Sequence, residues 1–453
     1  MMSSQKQEKR AVYILLALMI VSITVKCIAT SVGKTYLYAD GAAFFYALLR
    51  GDGYKFAHIG RQGSYFLMQL FAGLALRAGV TDINLLGTLF SIGEVFWFGA
   101  FTFLAMLLCK KYHREGYIPL LAVNYAVVNI FSGFFIEIES ITAVGIYIFL
   151  LMYYLLSCKK EAWLFRVIAA LLLLVLPHGH EYFIGYSIVL LCVLFSRLLR
   201  ERDKIYPIEW FVHIAMNVYY IYSAYMAIMY GDATTGSVIN SIKSLPEKKY
   251  FWLLIFGIAI FVLALLVYDK FHNKIIYAAA VAVSILCIVW LGYLVCTISD
   301  TLAVRSFSMR FINFIIPSAL GMFCLLVWLL RINYNIEYSL TIMAAAFLII
   351  SNVYDIKTSN AYHDYIVSVN QKCQERTGFF TIDESGIDRT YCWGWPLPLE
   401  SLLAQCLMGE TVIDSVMIEY FDKEKHVLID SSDIDAYMDM SGYGIVIDKQ
   451  SFY

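Results

Sequence analysis

Charged residues and prolines are scarce in this chain. Of its 453 residues, 15% are charged and seven are proline, whereas 60% are hydrophobic and the mean hydropathy is +0.69. A soluble domain of this length has no need for so much apolar surface, so the composition excludes a soluble globular fold. The net charge of −1 says little about partners, whereas the lack of a basic stripe argues against a nucleic-acid partner.

Several other features are missing from the sequence. It contains no Asn-x-Ser/Thr sequon, internal repeat or low-complexity tract, and the absence of sequons weakly favours a bacterial cell-envelope protein over one from a eukaryotic secretory lumen. The ten cysteines are scattered, and those in or beside apolar runs are most simply buried small side chains. Cys373, Cys392 and Cys406 lie in the polar C-terminal region, so at most one disulfide is expected among them.

Long apolar runs dominate what is present. A helix needs about 20 apolar residues to cross a ~30 Å hydrocarbon core, and about eleven runs qualify. The sequence therefore predicts an all-α, polytopic helical membrane protein. The first run follows Lys6, Lys9 and Arg10 and is interpreted as an uncleaved span instead of a signal peptide. The expected spans are roughly 11–30, 84–108, 117–135, 140–157, 162–178, 182–196, 208–229, 251–268, 275–298, 311–330 and 338–353.

Charged motifs alternate between successive ends of these runs. Lysine and arginine cluster at 110–111, 159–160, 197–204 and 270–274, whereas acids and histidines occur at 40, 137–139 and 178–181. The positive-inside rule places all the basic clusters in the cytoplasm if 62–80 lies in the outer interface and does not cross. The N-terminus is then cytoplasmic, and 41–49 and 62–80 become interfacial helices of the first outer loop.

The last hundred or so residues differ in composition from the rest of the chain. They are rich in aspartate, with β-type runs at 378–382, 426–429 and 444–447 and a helical pattern at 397–408. This predicts a transmembrane domain over 1–353 and a small extracytoplasmic α/β domain over 354–453. The aspartates lack the spacing of an EF-hand and are interpreted as solvated surface.

Acidic residues near the outer span ends are the first candidates for chemistry. Asp40 is either the N-cap of a helix that begins at Gly41 or a general base at an interfacial cleft, and both roles are compatible. Glu137 and Glu139 occupy a tight turn between two spans in an apolar context, where carboxylates usually have partners. Glu94 lies inside a span and is either functional or paired with a neighbouring group.

Histidines, arginines and tryptophans supply the other candidates. His178, His180 and Glu181 form a dense polar motif that suits a metal ion, a phosphate or a plain polar turn. The arginines suit phosphate recognition or snorkelling to the interface, and the tryptophans suit sugar stacking or membrane contact. These candidate substrate-binding residues are Arg61, Arg305, Arg310, Trp393 and Trp395. No metal site or cofactor is required by the sequence, and a divalent cation is left open.

Together these residues resemble the GT-C superfamily of membrane glycosyltransferases. The resemblance lies in an acid just after the first span (Asp40), interfacial helices at 41–49 and 62–80, a second acid in the next outer turn and an extracytoplasmic C-terminal domain. Two positions differ from the family pattern. Gly41 stands where a second acid often follows the first, and Gly60-Arg61-Gln62-Gly63 replaces a Lys-Pro-Pro element.

The resemblance implies an inverting sugar transfer from a polyprenyl-phosphate carrier to a glycan, lipid or protein acceptor. Asp40 would be the general base, Glu137 or Glu139 would orient the acceptor, and arginines and histidines would stabilise the leaving phosphate. A transporter or flippase of a lipid-linked saccharide would instead require polar residues in mid-span on several helices. An O-antigen polymerase-like enzyme and a membrane-anchored interaction protein are further alternatives.

Overall fold

The computed structural model describes residues 2–51, 62–132, 138–157, 163–175, 183–230, 302–330, 338–392, 394, 396–419 and 440–452. Within these ranges the chain is mostly helical, as predicted. The helices of the first half are α1 (Met2–Gly33), α2 (Asp40–Leu49), α3 (Gln62–Arg77), α4 (Ile83–Lys111), α5 (Tyr117–Ser132), α6 (Ile138–Leu156), α7 (Trp163–Val175), α8 (Phe183–Arg200) and α9 (Pro207–Tyr230). The second half contains α10 (Leu302–Leu329), α11 (Tyr338–Gln374), α12 (Ile382–Ser385) and α13 (Leu397–Leu407).

These helices coincide with the apolar runs of the sequence. Three of them are long and apolar enough to cross a membrane, namely α1 from Arg10, α4, and α11 from Leu340. Side-chain caps mark the starts of some described helices, including α4 and α12. At α4, for example, the Asp82 side chain caps the helix by accepting hydrogen bonds from the backbone N–H groups of Asn84 and Leu85. The predicted spans 251–268 and 275–298 lie outside the described residues.

The start of α10 corrects one prediction. The sequence predicts a span over 311–330, but the helix already begins at Leu302. Arg305 and Arg310 therefore lie in the N-terminal turns of α10. The helix also contains Pro317.

Helix α4 lies at the centre of the described bundle. It packs against α1, α3 and α6, while α5 packs against α10 and α11. A large apolar core fills this region and includes the buried tyrosines 125, 147, 153, 154 and 186. This core is the continuous hydrophobic interior expected for a multi-helix membrane protein.

Helices α1 and α11 run side by side in the same direction. Lys26 pairs with Asp355, and Gly33 lies against the backbone of Ser359, so residue numbers increase together along both helices. With 37 residues, α11 is about 55 Å long, which is longer than a ~30 Å hydrocarbon core. The boundary predicted at 353/354 falls inside this unbroken helix.

Short strands and helices follow α11. Strand β1 (Gly378–Thr381) pairs in parallel with β3 (Ser415–Ile418), and β2 (Val412–Ile413) pairs in parallel with β4 (Val446–Ile447). Strand β1 covers 378–381 of the β-type run predicted at 378–382, and β4 covers 446–447 of the run predicted at 444–447. Helix α13 covers 397–407 of the helical pattern at 397–408, whereas 426–429 lies outside the described residues. Cys373, Cys392 and Cys406 are all free thiols.

A second apolar core joins this C-terminal region to the chain that follows α1. It combines residues of α2, α3 and α4 with residues of α11, α13 and β3. The C-terminal region is therefore packed directly on the segment that carries Asp40, and this packing positions the site described next.

Candidate functional site

Asp40 is the first residue of α2 and follows a strained turn. Ala39 occupies the N-cap position with φ 51° and ψ −129° and is completely buried. A non-glycine residue in this backbone region costs of order 1–3 kcal/mol, and such strain concentrates at functional sites. Helix α2 begins at Asp40, one residue before the predicted start at Gly41. Asp40 therefore lies within the helix and is not its N-cap. A carboxylate in the first turn is stabilised by the helix dipole.

A second carboxylate, that of Glu94, lies beside this turn. A Cβ atom built on Gly41 would lie 3.4 Å from Glu94 Oε1 and only 2.0 Å from the carbonyl oxygen of Tyr36. Glu94 belongs to α4 and is 1% exposed. Burial raises the pKa of Tyr36 well above its usual range, and the nearby Glu94 carboxylate adds to this rise. The Glu94 carboxylate of α4 thus lies against Gly41, the residue that follows Asp40.

A buried ion pair lies between α1 and α11. Lys26 Nζ donates to Asp355 Oδ1 at 2.7 Å, and the two residues are 5% and 1% exposed. Asn129 Nδ2, from α5, donates to Asp355 Oδ2 at 2.7 Å and to Ser351 Oγ at 2.8 Å. Three helices are therefore held together by charge-assisted hydrogen bonds inside an apolar bundle.

A small cavity connects the ion pair with Glu94. Its volume is about 10 Å³, which is room for roughly one water molecule. Lys26, Glu94, Tyr125 and Asn129 are among the residues that line it. Polar residues of α1, α4 and α5 thus meet at one small cavity in the bundle.

The structure describes only part of the set of candidates predicted from the sequence. Asp40 is described in full. Glu139 lies in the first turn of α6, and Arg305 and Arg310 lie in α10, but only their backbone positions are described. The remaining predicted residues lie outside the described residues and are Arg61, Glu137, His178, His180, Glu181, Trp393 and Trp395. Within the described residues, no cluster of His, Cys, Asp and Glu is arranged to hold a metal ion.

Sequence reasoning missed the polar cluster of Lys26, Asn129 and Asp355. A signal for Lys26 was present, because a charged residue inside an apolar run is costly and is usually retained with a partner. Asp355 gave a weaker signal, since it follows the predicted end of the last span. The two residues are 329 positions apart, and no local pattern connects them.

Comparisons with known proteins identify no family for this chain. No protein-family model matches the chain, and neither curated proteins nor solved structures include a match. The functional argument therefore depends on the residues themselves.

Proposed function

We propose that the chain is a multi-pass membrane glycosyltransferase, which moves a sugar from a polyprenyl-phosphate carrier to an acceptor hydroxyl at the extracytoplasmic face. The observation that carries the proposal is the placement of Asp40. It begins a buried helix directly after a strained turn, with the Glu94 carboxylate against the next residue. A carboxylate held in this way at the end of a membrane helix suits general-base catalysis.

The proposed reaction is a single inverting displacement. Asp40 accepts the proton of the acceptor hydroxyl while that oxygen forms a bond with the anomeric carbon of the sugar. The bond between the anomeric carbon and the phosphate oxygen breaks, and the lipid phosphate leaves with the bonding electrons. Positioning of both substrates at one lipid–water boundary provides much of the rate enhancement.

Other residues have proposed roles around this step. Glu137 and Glu139 orient the acceptor, and the buried Glu94 packs against the turn that carries Asp40. The leaving phosphate binds to arginine and histidine side chains, whose positive charge offsets the charge that develops there. The phosphate-binding residues are Arg61, His178, His180, Arg305 and Arg310. Glu181 orients the histidines, and Trp393 and Trp395 stack on a sugar.

The proposed topology has about eleven spans, a cytoplasmic N-terminus and an extracytoplasmic C-terminal domain. The parallel packing of α1 and α11 supports this arrangement, because two parallel helices cross a bilayer in the same direction. The length of α11 also supports it. Its end extends beyond the hydrocarbon core, towards the region that packs on α2.

A transporter of a lipid-linked saccharide is the second candidate. The polar cluster of Lys26, Asn129 and Asp355 favours it, because this cluster places polar groups from three helices inside the bundle. Buried ionisable residues of this kind mark transport pathways and proton relays in other membrane proteins. The O-antigen polymerase-like alternative has no comparable observation in its favour.

The test is sugar transfer in proteoliposomes with a panel of labelled polyprenyl-phosphate sugars. We expect Asp40→Asn to reduce transfer by about 100-fold or more, because the amide cannot accept the proton. Asp203→Asn is the matched control, since Asp203 is exposed in the turn after α8.

The outcomes separate the two candidates. Equal transfer by wild type and Asp40→Asn removes Asp40 from the mechanism. Transfer from no donor, combined with movement of labelled lipid-linked sugar across the bilayer, replaces the transferase proposal with the transporter.

A further inference from the structure

Glu400 is a completely buried carboxyl group in the C-terminal region. It lies in the first turn of α13, which packs against α2, α4 and α11. The hydroxyl of Tyr362, from α11, donates a hydrogen bond to Glu400 Oε1. In the described part of the chain Oε2 has no hydrogen-bond partner. A buried carboxylate with an oxygen that accepts no hydrogen bond is unfavourable, and protonation of the carboxyl group removes this cost.

Within the described residues, no positively charged side chain lowers the pKa of the Glu400 carboxyl, and its anion is favoured only by the Tyr362 hydroxyl and by the N-terminal turn of α13. The titratable groups that face it are Tyr362 and Tyr365 of α11, Tyr38 before α2, and Cys392 before α13. Burial raises the pKa of the Glu400 carboxyl from 4.5 to about 8, and the hydrogen bond from Tyr362 opposes this rise only in part. At neutral pH the neutral acid is therefore the main form.

Tyr362 connects Glu400 to the turn that precedes Asp40. Its ring packs edge-to-face on the ring of Tyr38, with centroids 5.8 Å apart and planes at 89°. Tyr38 and the strained Ala39 are the last two residues before Asp40. The chain of contacts thus runs from Glu400 through Tyr362 to Tyr38 and then along the backbone.

We propose that Glu400 is a positioning residue. As a neutral acid, it holds Tyr362 against Tyr38 and thereby fixes the turn that presents Asp40. A second contact supports this docking, because the hydroxyl of Tyr443 donates a hydrogen bond to the carbonyl oxygen of Leu49 at the far end of α2. Tyr362 of α11 and Tyr443 of the C-terminal region thus make contacts at the two ends of the Asp40 helix. The consequence for sugar transfer depends on the proposed function, whereas the coupling between Glu400 and the turn does not.

The coupling has a defined pH dependence. When the C-terminal region separates from α2, Glu400 becomes exposed and its carboxyl ionises near 4.5. Opening therefore releases a proton at any pH between 4.5 and about 8. The population of the open form rises about tenfold for each pH unit across this window and is level above it.

The experiment is amide hydrogen exchange of the full chain in nanodiscs, corrected for intrinsic exchange rates, at several pH values between 5 and 8. In wild type, we expect the protection of residues 36–49 against exchange to fall about tenfold for each unit of pH increase, because opening releases one proton. In Glu400→Gln the fall should be absent, because the amide accepts the Tyr362 hydrogen bond and does not ionise. Glu375→Gln, at an exposed position in the same region, is the matched control and should behave as wild type.

A second variant tests the proposal if Glu400→Gln does not fold. Tyr362→Phe keeps the ring but removes the donor, so protection of 36–49 should fall at every pH while amides of α5 and α6 stay protected. An identical pH dependence in wild type and Glu400→Gln overturns the proposal, as does unchanged protection in Tyr362→Phe. Sugar transfer is measured on the same variants. The coupling between Glu400 and the turn, and the proposed transferase activity, are therefore tested independently.

Discussion

Glu94 lies against Gly41, with Glu94 Oε1 3.4 Å from the position of a Cβ on that glycine. The two residues are 53 positions apart (94 − 41 = 53) and belong to different helices. Gly41 follows Asp40, so the contact places the Glu94 carboxylate beside the residue next to Asp40. A Cβ at position 41 would lie 2.0 Å from the carbonyl oxygen of Tyr36, so this close packing requires glycine.

The first prediction concerns this glycine. Gly41→Ala places a methyl group 2.0 Å from the carbonyl oxygen of Tyr36, and a backbone atom cannot move away cheaply. We expect a loss of about 1–3 kcal/mol of stability and a loss of transfer, because α2 must shift relative to α4. Thermal unfolding in detergent measures the first effect. Gly442→Ala, which meets no atom within 4 Å, is the control, and equal stability of the two variants would contradict the prediction.

A second prediction concerns the ion pair between Lys26 and Asp355. Lys26→Met or Asp355→Leu alone leaves a buried partner without its counter-charge, which costs roughly 3–5 kcal/mol. The double variant Lys26→Met/Asp355→Leu removes both charges and should recover much of that loss. A double-mutant cycle of unfolding free energies measures the coupling.

The control for this cycle is the exposed pair of Lys372 and Glu375. Its side chains are 36% and 60% exposed, although the atoms are 2.6 Å apart. We expect Lys372→Met to leave stability unchanged, since exposed ion pairs contribute little. Additive losses in the Lys26 and Asp355 cycle would show that this buried pair is not coupled.

A third prediction concerns the end of α6, where Arg197 of α8 is buried. Arg197 donates hydrogen bonds to the carbonyl oxygens of Tyr154, Leu155 and Ser157 at 2.6–2.9 Å and forms an ion pair with Glu201. Lysine keeps the charge but not the planar fork of donors, so Arg197→Lys should cost about 1–3 kcal/mol.

Arg200→Lys is the matched control for Arg197. Arg200 lies one turn further along α8, is exposed, and donates one hydrogen bond, to the carbonyl oxygen of Leu329. Thermal unfolding should separate the two variants clearly. If Arg200→Lys is as harmful as Arg197→Lys, the capping of α6 is not the reason for the loss.

A fourth prediction concerns the pH dependence of global stability. The Glu400 carboxyl has a pKa of about 8 when folded, compared with 4.5 when exposed, so the unfolded state binds fewer protons between these values. The free energy of unfolding therefore falls as the pH rises from 4.5 to about 8 and is level above that range. Glu400→Gln should unfold with a smaller pH dependence than wild type in this window, and at pH 8 it should be the more stable protein. An unchanged slope would show that the buried acid is not linked to folding.

The helical architecture was predictable from the sequence because its causes are local. An apolar run of sufficient length forms a helix wherever it lies in a membrane, and α4 to α9 begin and end within a few residues of the expected positions. The helix after Asp40 and the strand at Gly378 were likewise predicted, since turn residues and β-type runs act over a few positions. The early start of α10 at Leu302 was not predicted, because no strong helix-start signal precedes it.

The composition by itself predicted a mostly helical chain with helices apolar enough to cross a membrane, and the order of its apolar runs determined where most of the described helices lie. Only the tertiary structure decided that Glu94 meets Gly41, that Lys26 meets Asp355 and that Glu400 meets Tyr362. The reason is physical. Apolar helices of similar length can pack in many arrangements, and the choice depends on side-chain fit and buried polar pairing between distant segments, which leave no periodic signal in the chain.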